Sequence, residues 1–477
     1  MATAERIYGA VARDGASAAL RGEMLARRME EEIAAGGLGA GENLGSVREL
    51  AARYGAGRST VCEAVRILEQ RGLGRMRTGR GGGLILTKPD LTMVAEELSD
   101  FFRLAGVSLR QLMDAREAVD GAAARLAAET PRSGAELAGL RRLAEPREDS
   151  VIRDLAFRAG VAGLAGDPAL RLFVECLNSL TLDFASLKAD DAEGRPACPG
   201  AAAREGLIAA LGRGDCAGAA DASSASLHLL ERGLHPTMTP GREGPHADAV
   251  GECHTNRSSE IARTLAAELK QHRVAGSRLG SEWELCERLG VGRLILRQAI
   301  RMLEDRGLVA SQRGRGHGLV ACEPQAFGAI RQAVAWLMTE QFDPMNVGKL
   351  LCLLNLVTPL LAVTRARGPG RRRLETVLAA VEACDPIDRS DVLEMVRCVA
   401  ELSDVPLVDV FCRCLVAYEA RFREHFPESF SLARQRPYID HLRRLLKVRA
   451  WTPDTSRLAK AETVALMLAY SQRASPC

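Results

Sequence analysis

Apolar side chains recur at helical spacing in two distant segments of this chain. In each segment a first set follows the spacing i, i+4, i+8, which places it on one face of a helix: Leu25, Met29 and Ile33, then Ile261, Leu265 and Leu269. A later set follows i, i+3, i+4, i+7: Val61, Ala64, Val65 and Leu68, then Leu296, Ala299, Ile300 and Leu303. The pattern therefore predicts two amphipathic helices in both segments.

A short helix is predicted between the two amphipathic helices of each segment. Ser46 precedes Glu49 by three residues, and Ser281 precedes Glu284 likewise, which fits the capping box that begins a helix. Glycines stand where the second and third helices should end, because a left-handed residue commonly closes a helix: Gly55, Gly72, Gly290 and Gly307. Each segment therefore contains three predicted helices.

A hairpin is predicted after the third helix of each segment. Residues 73–86 and 308–320 are strand-like and turn at glycine-rich tips, 79–83 and 314–318. Three helices followed by a two-stranded wing predict a winged helix-turn-helix, a fold that places its third helix in the major groove of duplex DNA. Arg58, Ser59 and Thr60 would lie at the end of the third helix that meets the bases.

The two segments are copies of one another. A shift of 235 positions aligns residues 46–84 with residues 281–319 without a gap, and 19 of the 39 positions are identical. Residues 235–258 lie between the copies and hold prolines and glycines without apolar periodicity, which indicates a linker. The chain is therefore predicted to be a tandem duplication.

Charge supports nucleic-acid binding only locally. The 477 residues carry 64 Lys and Arg against 61 Asp and Glu, a net charge of +3. Residues 46–90 hold nine basic against four acidic side chains, whereas residues 281–325 hold seven against six. Aromatic residues make up 4%, which argues against proteins that stack single-stranded bases on exposed rings. The first copy is therefore expected to bind duplex DNA more strongly.

Other classes of protein are disfavoured. The 13 cysteines have no regular spacing, which argues against a disulfide framework or a zinc module. The glycine-rich tip at residues 79–83 lacks the Lys and Ser or Thr of a phosphate loop, and the eight histidines form no catalytic pattern. Residues 1–21 lack the apolar stretch of a signal peptide, and the apolar run 350–363 is shorter than a membrane span. We expect a cytoplasmic protein without a cofactor, an enzymatic activity or a membrane partner.

The chain resembles the GntR superfamily of bacterial regulators in residues 41–51, 57–69 and 72–81, and again in the second copy. The resemblance implies DNA contacts in both copies: Arg48, Arg58, Ser59, Thr60, Arg66, Gly79, Arg80 and Gly81, then Arg293, Arg297, Gly314, Arg315 and Gly316. Some positions depart from the family pattern, which usually has a polar residue at Gly57 and an Arg at Cys62. In the second copy Trp283 replaces the phosphate-contacting Arg, and Leu294 and Ile295 replace polar residues.

The segment after the first wing resembles the all-helical effector domain, of the FCD type, in the FadR branch of this superfamily. In many members an Asp and three His bind a metal ion there. Here Asp154 is kept, but the His positions hold Arg158, Arg204 and Ser226. Guanidinium groups do not bind cations, so no metal is expected. Together with Arg116, these arginines either clamp a small anionic effector such as a carboxylate or form salt bridges within the protein, with Asp154 or Glu205.

Residues 326–477 resemble a divergent copy of the same helical domain, and we expect this copy to serve packing and pairing. The fold prediction is mainly α: two winged helix-turn-helix domains, each followed by an all-helical bundle effector domain. The expected boundaries are a tail at 1–21, a winged helix at 22–89, a helical domain at 90–234, a linker at 235–257, a winged helix at 258–323 and a helical domain at 324–477.

Two functions follow from these predictions. The first is a sequence-specific transcriptional regulator that binds double-stranded DNA, either as one chain with two winged helices or as a homodimer of two chains. The second is a protein-interaction or corepressor-like module in which one or both winged helices have lost DNA binding, as Trp283, Leu294 and Cys62 would indicate.

Overall fold

The computed structural model is mainly helical and describes most of the chain. The described residues are 18–35, 40–79, 81–145, 151–185, 200–234, 257–271, 276–305, 307–312, 318–322, 325–340, 342–343, 345–355, 357–383, 389–421, 436–448 and 459. Residues 1–17 of the predicted tail 1–21, most of the predicted linker, Arg80 and Gly314–Gly316 lie outside these ranges. The chain forms two compact units, Met1–Gly106 with Glu243–Gln341, and Val107–Arg242 with Phe342–Cys477.

The first half of the chain holds the predicted helices and hairpin in the predicted order. Its elements are α1 (Ala18–Ala35), α2 (Val47–Tyr54), α3 (Arg58–Gln70), β1 (Gly74–Arg77), β2 (Gly83–Leu86), α4 (Leu91–Ala105), α5 (Leu109–Ala127), α6 (Gly134–Ala144), α7 (Val151–Ala165), α8 (Pro168–Phe184), α9 (Ala201–Arg213) and α10 (Cys216–Glu231). Strands β1 and β2 pair antiparallel. The apolar stripes of α1 and α3 face each other in a buried core with Leu50 and Leu84.

The second half repeats the winged helix and adds a strand. Its elements are α11 (Arg257–Gln271), β3 (Arg278–Gly280), α12 (Glu282–Leu289), α13 (Arg293–Asp305), β4 (Val309–Ser311), β5 (Leu319–Ala321), α14 (Phe327–Thr339), α15 (Met345–Leu354), α16 (Thr358–Arg365), α17 (Gly368–Ala383), α18 (Arg389–Ser403), α19 (Pro406–Glu419) and α20 (Arg436–Lys447). Strand β5 lies between β3 and β4, antiparallel to both. The fold prediction is confirmed.

The helices that follow the two wings join the winged helices into one unit. Helix α4 follows the first wing, yet its Leu104 packs against the core of the second winged helix. Helix α14 follows the second wing, yet its Ala335 packs into the core of the first. The Gln332 side chain on α14 donates a hydrogen bond to the Arg71 carbonyl (3.3 Å). Each winged helix is therefore completed by a helix from the other copy.

The two helical domains also pack together within their unit. Helix α5 contacts α7, α8 and α10 of its own domain and α15 and α19 of the other. The rings of Phe173 and Phe411 stack with centroids 4.2 Å apart. Arg365 forms an ion pair with Asp114 at 2.6 Å, and Lys349 lies 2.5 Å from Glu129. The contact between the two domains is therefore aromatic at one point and ionic at others.

The apolar stretch Asn346–Arg365 is long and apolar enough, by length and composition, to span a membrane, with a mean hydropathy of 1.8. The run 350–363 within it contains polar residues and by itself predicts a length too short for a membrane span. In the structure the stretch Asn346–Arg365 comprises α15 and α16, two helices of 10 and 8 residues, and 47% of it is buried within the protein.

Candidate nucleic-acid interface

The N-terminus of α2 in the first winged helix is fixed by its capping box. The Glu49 backbone N–H donates to the Ser46 hydroxyl (3.3 Å), and the Ser46 backbone N–H donates to the Glu49 carboxylate (2.7 Å). These hydrogen bonds, with that from the backbone first, lower the pKa of Glu49 below its ordinary value. Arg48 lies two residues after Ser46 and is exposed. The cap thus holds Arg48 at the start of α2.

Helix α3 presents its N-terminus to solvent. It starts at Arg58 after Gly57, which has an extended backbone and no side chain to cap the first N–H groups. Arg58 and Ser59 are exposed and Thr60 is half-buried. The positive end of the helix dipole and the open N–H groups attract anions such as phosphate. The structure therefore brings Arg58, Ser59 and Thr60 together at the tip of α3, where base edges would be contacted.

The wing adds basic side chains that the sequence analysis did not single out. Strand β1 exposes Arg75 and Arg77 on alternate positions, and this alternation is visible in the sequence. The backbone at Gly79 has φ +101°, which favours glycine, and a Cβ at Gly82 would lie 2.2 Å from the Arg77 carbonyl oxygen. The Asn43 side chain also donates to the Gly81 carbonyl (3.2 Å). The glycines therefore permit a tight tip beside two arginines.

Most of the exposed arginines of the first winged helix have no carboxylate partner. Within the part of the chain that the structure describes, four arginines without an ion pair lie on α2, α3 and β1: Arg48, Arg58, Arg75 and Arg77. Arg21 and Arg28 on α1 also have none. Arg66 differs, because it lies 3.5 Å from Glu63 on the same helix. Unpaired guanidinium groups are the ones that phosphate and guanine acceptors can engage without first breaking a salt bridge.

The second winged helix has the same scaffold and a different surface. Ser281 and Glu284 form the same capping box, with 3.2 Å and 2.6 Å hydrogen bonds. Arg293 is exposed and has no ion pair among the described residues, but Arg297 lies 2.9 Å from Glu282. Trp283 and Leu294 stand second in α12 and α13 and are 62% and 70% exposed. On α12 and α13, among the described residues, Arg293 is therefore the exposed arginine without an ion pair, whereas α2, α3 and β1 of the first winged helix have four.

Helices α3 and α13, the third helices of the two winged helices, are joined by an ion pair. Arg301 on α13 lies 3.3 Å from the carboxylate of Glu63 on α3. Arg301 is the equivalent of Arg66 in the repeat, and Glu63 is the equivalent of Gln298. The equivalent ion pair in the other orientation, between Arg66 and Gln298, cannot form, because Gln298 carries an amide in place of a carboxylate.

The predicted effector residues form a buried ion-pair network in the first helical domain. The Arg158 Nε lies 2.7 Å from Asp154 Oδ2, and its Nη1 lies 2.9 Å from Asp120. Arg204 also pairs with Asp154, at 3.2 Å, and Arg116 pairs with Asp120, at 3.2 Å. Burial opposes ionisation of Asp154, but Arg158, Arg204 and Arg116 hold its pKa below the ordinary value. Salt bridges with Asp154, one of the two alternatives, are thus present, whereas Glu205 lies exposed.

The residues that complete this network include some that the sequence analysis missed. Asp120 lies one helical turn after Arg116, a spacing that could have revealed the pair. Asn178 Oδ1 and the Thr181 hydroxyl accept hydrogen bonds from Arg116, both at 2.8 Å. These two residues come from α8, about sixty positions away, and no local signal points to them. The Ser226 hydroxyl on α10 also accepts a hydrogen bond from Arg158 (3.2 Å). The network therefore spans five helices of the domain, α5, α7, α8, α9 and α10.

The space beside the network is small. A cavity of about 10 Å³ is lined by Asp120, Arg158, Ser223 and Ser226, among others. This volume suits about one water molecule. The Asp120 Oδ1 has no hydrogen-bond partner among the described residues. An anion as large as a carboxylate would therefore have to displace a protein group.

A metal ion does not fit this donor set. Two of the four family positions are guanidinium groups, and both are bonded to Asp154, the remaining acidic ligand. No group of three His, Cys, Asp or Glu side chains with metal-binding geometry occurs in the described ranges. In the second helical domain, Leu354 and His441 are both fully buried.

Parts of the chain are similar to known transcriptional regulators. The model of the family described as bacterial regulatory proteins, gntR family, matches residues 21–83 and 257–318. The chain is 30% identical over 129 residues, 27% of its length, to the galactonate operon transcriptional repressor of Escherichia coli (strain K12), and covers 54% of that protein. It is 30% identical over 185 residues, 36% of its length, to the putative HTH-type transcriptional regulator RmpR of Mycobacterium gastri, and covers 67% of that protein.

Among solved structures, Streptococcus agalactiae GntR matches with 21% identity and a TM-score of 0.32, over 44% of this chain and 99% of that one.

Proposed function

Since the chain belongs to the gntR family of bacterial regulatory proteins, we propose that it is a sequence-specific transcriptional regulator that binds double-stranded DNA. The observation that carries this proposal is the exposed N-terminus of α3. Arg58 and Ser59 lie there, and the unpaired Arg48, Arg75 and Arg77 belong to the adjoining helix and wing. Such an arrangement suits base contact flanked by phosphate contact.

The experiment is selection of genomic DNA fragments by the purified chain at moderate salt. We expect a small set of fragments that share a sequence motif and that compete with nonspecific DNA. The matched control is the Arg58→Ala variant, which keeps the core because Arg58 is exposed. Loss of enrichment in the variant supports the proposal, whereas equal recovery of all fragments by both proteins would overturn it.

We infer a tandem duplication from the repeat and from the two regions that the family model matches. The proposed domains keep the boundaries given above, with winged helices at 22–89 and 258–323 and FadR-like helical domains of the FCD type at 90–234 and 324–477. In this proposal both winged helices contact DNA, through Arg48, Arg58, Ser59, Thr60, Arg66 and Gly79–Gly81 in the first and through Arg293, Arg297 and Gly314–Gly316 in the second. The protein acts in the cytoplasm and as a regulator rather than an enzyme, as the names of its relatives support.

A small anion such as a carboxylate remains the proposed class of effector. It would bind at Asp154, Arg158, Arg204 and Arg116, and it would have to exchange with the carboxylates that now bond these arginines. Thermal unfolding with a panel of carboxylates, on the wild type and on Ser226→Ala, tests this step. An anion that raises the melting temperature of the wild type more than that of the variant supports the site. Equal shifts for both proteins, or no shift, would exclude it.

A second candidate function is a protein-interaction module. The exposed Trp283 and Leu294, at positions that contact DNA in the family, favour it. The same selection separates the two candidates, because an interaction module would recover no specific fragment.

A further inference from the structure

The second winged helix presents an apolar side chain where the first presents polar ones. Leu294 is the second residue of α13 and is 70% exposed, and the equivalent Ser59 is the second residue of α3. An isolated exposed leucine is common on protein surfaces. Leu294 differs because it lies at the tip of a recognition helix, where the family fold meets base edges.

The scaffold that aims this position at DNA is intact. Gly290 adopts the left-handed conformation (φ 62°) as Gly55 does (φ 60°), so the turn between the second and third helices is the same. Leu296, Ala299 and Leu303 anchor α13 in its core, as Val61, Ala64 and Leu68 anchor α3. Leu294 is therefore not needed for folding, and its exposure follows from its place at the helix tip.

Charge around Leu294 favours DNA over a protein partner. Arg293 is adjacent, exposed and without an ion pair among the described residues. Two acidic residues of α12 are neutralised, because Glu282 pairs with Arg297 and Glu284 with Arg278. Glu287, one turn beyond Trp283, keeps an exposed carboxylate, which weakens phosphate contact along α12. The tip of α13 is thus positive and apolar, whereas α12 is poorly suited to phosphate.

The chemistry of base edges identifies what such a tip can recognise. In the major groove only thymine presents a methyl group, and the other edges present hydrogen-bond donors and acceptors that leucine cannot satisfy. We propose that Leu294 determines the specificity of the second winged helix by packing against thymine methyl groups, with Arg293 holding an adjacent phosphate or base. This inference rests on the proposed function and deepens it.

The two half-sites should then differ in kind. Arg58 of the first winged helix suits the paired acceptors of guanine, which bind a guanidinium in bidentate fashion. Leu294 of the second winged helix would contact the methyl group of thymine, and it has no donor that could bond to the acceptors of guanine. The operator is therefore asymmetric in chemistry, with one half-site recognised mainly through hydrogen bonds and the other through apolar contact.

Replacement of thymine by deoxyuridine tests the proposal, because it removes only the methyl group. The probe is the genomic fragment selected by the wild-type chain, with each thymine replaced in turn by deoxyuridine. We expect one or two positions in one half-site at which binding weakens about fourfold, the effect of losing one buried methyl-sized group. Leu294→Ser should abolish this sensitivity, whereas Met93→Ser, which removes another exposed apolar side chain (67%), should keep it.

The possible outcomes are distinct. If no fragment is selected, the proposed function fails and the inference fails with it. If a fragment is bound but deoxyuridine has no effect anywhere, or the same effect on the wild type and on Leu294→Ser, only the inference is overturned. A footprint confined to one half-site would also overturn it and would favour a protein partner at Trp283 and Leu294. Thermal unfolding of both variants checks that each is folded.

Discussion

Arg58 and Arg293 hold equivalent positions in the two winged helices but lie in different surroundings. Around Arg58, the described structure has three further exposed arginines without ion pairs, at positions 48, 75 and 77. Around Arg293, Arg297 is bound to Glu282, and the exposed Trp283 stands at the position that Arg48 holds in the first winged helix. Each phosphate contact contributes about 0.9 to the slope of log K against log salt, so the first winged helix should dominate affinity.

Arg58→Ala should therefore weaken operator binding much more than Arg293→Ala. For Arg58 we expect a loss on the order of 10- to 100-fold, the range for one bidentate contact to a base. For Arg293 we expect a loss of no more than about fivefold, because fewer contacts depend on it. Fluorescence anisotropy titrations at two salt concentrations measure both. Equal losses for the two variants would contradict the asymmetry between the winged helices.

Burial of the Asp154 carboxylate costs free energy through desolvation, whereas its ion pairs with arginines stabilise the folded protein. Asp154 is 7% exposed and bonded to Arg158 and Arg204. Because the pKa of Asp154 in the folded protein lies below the 3.8 of the free group, its stabilising contribution is complete above about pH 4. The contribution is lost as the pH falls through the lowered value.

Asp154→Ala should lower the free energy of unfolding by about 3–5 kcal/mol at pH 7, because it leaves buried guanidinium charge without its partner. Chemical denaturation measures the loss. Arg213→Ala is the control, because it removes only one member of an exposed pair with Asp215 and should change little. The deficit of Asp154→Ala relative to wild type should shrink below pH 4. A deficit that is the same at pH 7 and pH 3 would exclude an electrostatic origin.

The sequence revealed some members of this network and not others. Asp154, Arg158 and Arg204 were identified, with ion pairing among the alternatives, because their positions match a ligand pattern of the FadR branch. Asp120 was missed although its spacing from Arg116 is a helical one. Asn178 and Thr181 could not be found, because they meet Arg116 only when α8 folds against α5.

Helix α8 begins at a buried aspartate, Asp167. The Asp167 side chain accepts the Leu170 backbone N–H (3.0 Å) and Pro168 follows at the first helical position. Burial raises the pKa of Asp167 to about 6, against the opposing effect of hydrogen bonds from Leu170 and Ala169 and of Lys349. A raised pKa means that the folded state binds a proton more tightly than the unfolded chain does. Stability is therefore lost as the pH rises from about 4 to 6.

Asp167→Asn should keep the cap and remove this pH-dependent cost. Asn caps helices about as well as Asp, and a shift of two pKa units corresponds to about 3 kcal/mol. At pH 7 the variant should therefore be more stable than the wild type by up to about 3 kcal/mol, and the difference should vanish near pH 4. Denaturation curves at pH 4, 5, 6 and 7 test this expectation. If the variant is less stable than the wild type at pH 7, the negative charge of Asp167 must stabilise the N-terminus of α8.

Local signals predicted the elements of the winged helices better than their partners. Capping boxes and closing glycines located α2, α3, α12 and α13, because these signals act within one or two turns. The third strand of the second sheet, β3, was not predicted. The sequence also did not predict that Leu104 packs against the core of the second winged helix and Ala335 into the core of the first. Both depend on contacts between residues far apart in the sequence.

The two winged helices contact one another within one chain, and so do the two helical domains. The winged helices share α4 and α14 and the Arg301–Glu63 ion pair. The helical domains meet through Phe173 and Phe411 and through Arg365 and Asp114. Contacts of this kind, made between two similar domains of one chain, can replace the pairing of two chains. We therefore favour one chain with two unequal winged helices over a homodimer.

One chain should accordingly bind one asymmetric operator. A symmetric dimer produces a palindrome whose half-sites lie about 34 Å, one helical turn, apart. Here the proposed contact sets differ, with Arg48, Arg58 and Ser59 in the first winged helix and Trp283, Arg293 and Leu294 in the second. The half-sites should therefore differ too. We expect light scattering to give the 51.3 kDa mass of one chain, titration to give one chain per operator, and the footprint to lack two-fold symmetry. A perfect palindrome bound by two chains would instead mean that the first winged helices pair on DNA and leave the second ones unbound.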